Sequence, residues 1–147
     1  MNMDIKIKRL NDLAKIPTQA DVGSAGYDLY AATDCDIQIP PHANTMIGTG
    51  IAMAIPLGYF GGIYARSGVA SKRNLRPANC VGVVDASFRG EVKVALHNDS
   101  PETKTVQVGE RIAQLVIHKH EIADFEVVDE LDETERGTGG FGSSGEK

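Results

Sequence analysis

Short runs of two-residue alternation, each cut off by glycine or proline, recur along the whole chain and leave little room for any architecture other than an all-β one. Ile5 and Ile7 alternate with lysines, Ile37 and Ile39 with Asp36 and Gln38, and Val106 and Val108 with Gln107. Val92, Val94 and Leu96 alternate in the same way with Glu91, Lys93 and Ala95. A period of two puts the apolar side chains on one face of a strand. Pro17, Pro40-Pro41, Pro56, Gly58 and Gly109 stand between the runs, where proline interrupts a ladder and glycine permits a turn. Many short strands of this kind imply a sandwich or a barrel. One segment breaks the pattern, Ser67 to Asn74. There Ser67 suits a helix cap, Ala70 and Lys72 favour helix, and Pro77 prevents continuation, which limits the helix to one or two turns.

At 147 residues the chain suits one domain. From Leu131 onward the sequence becomes charged and then rich in glycine and serine, with too few apolar residues to bury itself. Residues 1–130 are therefore expected to form the core and 131–147 a flexible C-terminal arm. The opening MNMDIKIKRL carries charges among its apolar residues, unlike a signal peptide, and no later run approaches ~18 apolar residues. The expectation is a cytoplasmic protein with no membrane contact. Cys35 and Cys80 lack metal-ligand spacing and suit buried small hydrophobes better than a disulfide. The net charge of -5 argues against nucleic acid as a partner, since broad binding needs a basic face to displace counterions. An anionic ligand would have to be held locally.

Several clusters carry candidate chemistry. Asn79 to Glu91 reads as a hairpin: an apolar run from Cys80 to Val84, a turn from Asp85 to Gly90, and a returning strand. Asp85, at its lip, fits two roles, a turn opener or an acid–base carboxylate tuned by burial and neighbouring charge. Ala65-Arg66-Ser67-Gly68 runs from a strand end into the short helix and would bring backbone N–H groups, a hydroxyl and a guanidinium to one place, as phosphate sites do. Ser24 to Tyr30, with Gly26 and Asp28, and Gly109 to Leu115, with Gln114, read on their own as strand starts. Arg136 to Gly145 contains a literal G-x-G-x-x-G at Gly137, Gly139 and Gly142. It lacks the following helix and distant acidic residue of a dinucleotide fold. The segment does offer backbone amides, a cation in Arg136 and one aromatic, Phe141, suited to stacking on a base. His118 and His120 share a strand face in this reading, and two ligands make no metal site.

Five segments, AGYDLYAA, ARSGVA, NCVGVVDASFRGE, GERIAQL and RGTGGFGSSG, occur in the order and at roughly the spacing of the five motifs of the homotrimeric deoxyuridine triphosphate nucleotidohydrolases, the dUTPases. The resemblance spans residues 25 to 145. It implies a distorted jelly-roll β-barrel with one short helix, assembled as a homotrimer whose active sites borrow from all three subunits. It also implies that dUTP and water give dUMP and pyrophosphate with Mg²⁺, limiting uracil in DNA and supplying dUMP for dTMP synthesis. The dCTP deaminases share the fold but carry a catalytic Glu on the returning strand, where this chain has Ala95.

Carried over residue by residue, the resemblance makes Asp85 the general base that activates water for in-line attack at the α-phosphorus. Asn79 and the backbone of Val83, Val84 and Lys93 are implied to read uracil, with no room for thymine's methyl. Phe88 is implied to pack under the deoxyribose and exclude a 2′-hydroxyl. Arg66, Ser67, Gly68 and Gln114 are implied as the phosphate clamp, and Asp28 as a carboxylate that meets Mg²⁺ through water or orients the surroundings of the catalytic aspartate. Arg136 matches a γ-phosphate contact, and Phe141 the ring that stacks over uracil when the arm closes, with Gly142 and Ser143 beside it binding substrate. Two positions depart from the family pattern. Phe88 replaces the usual tyrosine, keeping the ring without its hydroxyl, and Ser87 replaces a frequent acidic residue.

Overall fold

In a computed structural model that describes residues 3–140, the alternating runs become eleven short strands, with one helix among the described residues. In chain order these are β1 (Lys6–Arg9), β2 (Tyr27–Tyr30), β3 (Ile37–Ile39), β4 (Asn44–Gly48), β5 (Ile51–Ala54), β6 (Tyr59–Tyr64), α1 (Ser67–Arg73), β7 (Leu75–Pro77), β8 (Gly82–Val84), β9 (Lys93–Asn98), β10 (Lys104–Val106) and β11 (Arg111–Lys119). Every ladder is antiparallel. One sheet runs β2-β11-β6-β8, a second β4-β9-β7, and two pairs, β1-β5 and β10-β3, complete the set.

Alternation accounts for how these sheets share a core. Leu29 and Leu115 from the first sheet, Ile47, Val94 and Leu96 from the second, and Ile39 and Val106 from one of the pairs belong to a single buried cluster. Each such side chain contributes about 1.5–3 kcal/mol by leaving water. A buried polar group ties the second sheet to its neighbours. The Asn98 Nδ2 donates toward the carbonyls of Ile39, Pro40 and Glu102 at 3.0, 3.2 and 2.7 Å. Its Oδ1 accepts from the Ser100 N–H at 3.0 Å and from Ser100 Oγ at 2.7 Å.

The structure corrects the local reading at several points. Residues 79–91 are not one hairpin. β8 pairs with β6 in the first sheet, whereas β9 pairs with β4 and β7 in the second, so the intervening 85–92 is a loop that crosses between sheets. Ser67 is the first helical residue rather than the cap. Arg66, in extended conformation, occupies the cap position, without a side-chain cap bond. Asn74 ends the helix in the left-handed region at φ 56°, its N–H reaching the Ala70 carbonyl. Cys35 and Cys80 are free thiols on the surface, not buried hydrophobes. His118 and His120 do not share a strand, because β11 stops at Lys119. The His118 ring instead stacks on Phe60, with centroids 5.0 Å apart. Val108 falls outside β10 and is exposed.

Past β11 the described residues hold no strand or helix, and 121–138 are exposed throughout. Ile122, Phe125, Val127 and Leu131 lie in this stretch with most of their surface open. Phe141, Gly142 and Ser143 lie outside the described residues. Among the described residues no helix is long and apolar enough to cross a membrane.

Candidate active site

Sheet register assembles the first cluster. Gln114 on β11 stands opposite Asp28 on β2 and opposite Tyr64 on β6, and Arg66 follows two residues after Tyr64. The Gln114 Nε2 donates to the Ala65 carbonyl at 2.8 Å, which fixes the amide against the start of α1. Gly26 is required beside it, because a Cβ there would collide with Gln114 Oε1. The Asp28 carboxylate is only 12% exposed and is clasped from two sides. Arg66 Nε donates to Oδ1 at 2.6 Å, and Arg111 Nη1 donates to Oδ2 at 3.2 Å. Charge-assisted pairs of this kind are strong in partly buried surroundings. Asp28, Arg66, Ser67, Gly68 and Gln114 line one cleft together with Gly26.

The second cluster surrounds the loop between β8 and β9. Asn79, Val83, Val84, Asp85, Phe88 and Lys93 line one pocket. Within the loop the Phe88 N–H donates to the Asp85 carbonyl at 3.1 Å. Arg89 Nη1 donates to the carbonyls of Ala86 and Phe88 at 2.7 and 2.8 Å, which knits the turn together. The Phe88 ring lies over Gly90, where a Cβ would come within 2.7 Å of Cζ.

The second pocket runs along β6 as far as Ile63, but Asp85 lies toward the opposite end of that strand from Arg66. Val84 stands opposite Gly61, and the antiparallel direction carries Asp85 further from Arg66. Five residues of chain separate Gly61 from Arg66, roughly 16 Å at strand rise. No residue lines both clefts.

With these two clusters in view, the comparison with known proteins is decisive. The dUTPase family profile matches residues 12–145. The chain belongs to the dUTPase family. It is 49% identical over 143 residues to the deoxyuridine 5'-triphosphate nucleotidohydrolase of Corynebacterium glutamicum, covering 96% of this chain and 94% of that one. It is 47% identical over 145 residues to the enzyme of the same name from Rhodococcus erythropolis, covering 98% and 87%. Among solved structures, a Staphylococcus bacteriophage 80alpha dUTPase mutant with dUpNHpp superposes at a TM-score of 0.87 and 30% identity, over 98% of this chain and 99% of that one. A dUTPase from phage phi11 of S. aureus, described with a structural Mg(II) ion, shares the fold at a TM-score of 0.81 and 24% identity, over 89% and 100%. The family activity, hydrolysis of dUTP, is the activity of this chain.

The cleft offers one carboxylate, Asp28, which fits Mg²⁺, an ion commonly held by one or two carboxylates, water and the substrate's own phosphates rather than by a protein cage. Asp28 is the carboxylate of the cleft, and each of its oxygens keeps a lone pair beyond the one engaged by arginine. Arg111, within GERIAQL, was not singled out in the sequence reading. Its only signal was a cation at the start of a strand, where the register shifts between Arg111 and Ala113. Met46 and Glu91 also line the second pocket without having been assigned a role.

Proposed function

We propose that dUTP is cleaved to dUMP and pyrophosphate in sites built between copies of a homotrimer of distorted jelly-roll subunits. The observation that carries this reading is the separation along β6. A general base acts within hydrogen-bond reach of its proton or through one water. Asp85 therefore cannot serve a phosphate held by Arg66 of the same chain, and a second copy must bring its clamp to this pocket. The exposed Ile122, Phe125, Val127, Val128 and Leu131 supply apolar surface for a neighbouring copy to cover.

In this site Asn79 and the backbone of Val83, Val84 and Lys93 hold uracil, and Phe88 packs against the deoxyribose. Arg66, Ser67, Gly68 and Gln114 of the adjoining copy bind the phosphates, which carry about four negative charges into an acidic protein. Asp85 takes a proton from the water that attacks the α-phosphorus in line with the departing pyrophosphate. Asp28 would meet Mg²⁺ through water, and the ion would supply positive charge against the phosphate oxygens. Residues 131–147 act as an arm that closes over a neighbour's site. Arg136 meets the γ-phosphate, and Phe141, Gly142 and Ser143 cover the base, which excludes bulk water.

The test is pyrophosphate release from dUTP beside dCTP, dTTP and UTP, with and without Mg²⁺. The expected outcome is Mg²⁺-dependent turnover of dUTP at least about a hundredfold above the others, as unpaired buried polar groups would impose on a wrong base. Equal turnover of dUTP and dCTP would overturn the assignment of the base pocket.

A further inference from the structure

The loop that carries Asp85 and Phe88 leaves its pocket against a turn from another part of the chain, Gly48-Thr49-Gly50 between β4 and β5. Four hydrogen bonds join the loop to this turn and to the first residue of β5. The buried Thr49 donates its Oγ1 to the Val92 carbonyl at 2.6 Å and its N–H to the same carbonyl at 3.2 Å, while the Val92 N–H donates to Ile51 at 2.8 Å. The fourth reaches out of the pocket itself, where the Gly50 N–H donates to Glu91 Oε1 at 3.0 Å.

We infer that Glu91 is a positioning residue for nucleotide recognition, its carboxylate seated on the Gly48–Gly50 turn so that the 91–93 backbone, and the Phe88 ring upstream of it, are held in register with the substrate. The inference rests on reading this pocket as the uracil and sugar site. Three features argue that the seat is built for a carboxylate. Gly50 donates its N–H to Glu91 from φ 66°, a conformation few other residues adopt. Gly48 provides the space, because a Cβ there would collide with Glu91 Oε1. Glu91 Oε2 lies 3.5 Å from Lys93 Nζ, so the charge is balanced inside a pocket that receives a polyanion. Without the seat, the loop keeps its β8 anchor on β6 and its Arg89 clip. It loses the side-chain tie nearest Lys93, whose backbone meets the base.

The consequence is a split between kinetic constants. Glu91→Ala should raise KM for dUTP about tenfold while kcat falls less than about threefold, because uniform binding is lost rather than the proton transfer. The preference for dUTP over dTTP should shrink with it. Glu91→Gln keeps an acceptor for the Gly50 N–H and should recover most of the loss. Gly48→Ala, which displaces the carboxylate without altering the loop, should reproduce the alanine phenotype. Wild-type KM and dUTP/dTTP ratio in Glu91→Ala, whatever its Tm, would overturn the proposal, as would a glutamine variant no better than alanine. Limited trypsin cleavage after the exposed Arg89 reads the latch without any nucleotide. Cleavage should be faster in Glu91→Ala and Gly48→Ala than in wild type, and equal rates would refute the seat. If wild type failed to turn over dUTP yet showed that protection, the nucleotide reading alone would fall.

Discussion

Mixed trimers of two inactive variants test directly whether Asp85 and Arg66 serve one site from different copies. Asp85→Asn keeps the side-chain shape but cannot take a proton from water, which costs about 10²–10⁴ in turnover. Arg66→Ala removes the proposed phosphate contact and leaves the Asp28 carboxylate held by Arg111 alone, at 3.2 Å. Losing one such charged group costs on the order of 3 kcal/mol, about a hundredfold. In a cyclic trimer whose sites each take Asp85 from one copy and Arg66 from the next, every mixed trimer contains one junction where both are native, about a third of wild-type activity. Random assembly at equal amounts leaves about three-quarters of trimers mixed, so the bulk mixture should reach about a quarter of wild type. Each parent alone should stay near or below one-hundredth. The two chains are to be tagged differently, co-expressed, purified through both tags and assayed for pyrophosphate release from dUTP. Doubly purified trimers that show only the sum of the parental activities would refute the roughly 16 Å separation as a functional one and return both residues to a single chain.

Two further outcomes follow from individual contacts. Phe88→Ala removes the ring that lies over Gly90, which should open space at the sugar and lower the dUTP/UTP ratio of kcat/KM at least about tenfold; unchanged discrimination would reduce the ring to packing. Asn98→Ala strips a fully buried side chain of partners on both of its polar atoms and leaves carbonyls unsatisfied, a loss of about 3–5 kcal/mol and on the order of 10 °C in Tm. A melting shift within about 2 °C by differential scanning calorimetry would show that water replaces the amide.

What was legible in the chain was what depends on neighbours in sequence. Alternation located β1, β3 and β9, and a local cap-to-proline argument located α1 to within one residue at its end. Alternation identifies a strand without naming its ladder. The apolar run before Asp85 and the alternating run after it looked like two arms of one hairpin, yet Gly82–Val84 pairs with β6 and Lys93–Asn98 with β4 and β7. Glu91 read as a polar member of ordinary alternation and Asn98 gave no signal, because their partners lie at 50 and at 39–40, far away in sequence. The cysteines were misplaced as well: both are exposed, Cys80 in the turn before β8 at φ 61°. The same non-locality governs the site. Asp28, Tyr64 and Gln114 come together only because β11 is long enough, at nine residues, to pair with β2 on one side and β6 on the other. That strand also sets the distance along β6 that keeps the Asp85 loop away from the arginine. If Asp85 is the base and Arg66 part of the clamp, as proposed, their places toward opposite ends of one strand leave the isolated chain a carboxylate with no phosphate to serve. On this reading assembly, rather than folding, is the step that creates the enzyme, and activity should fall with dilution on the trimer's dissociation curve while the fold of each subunit persists.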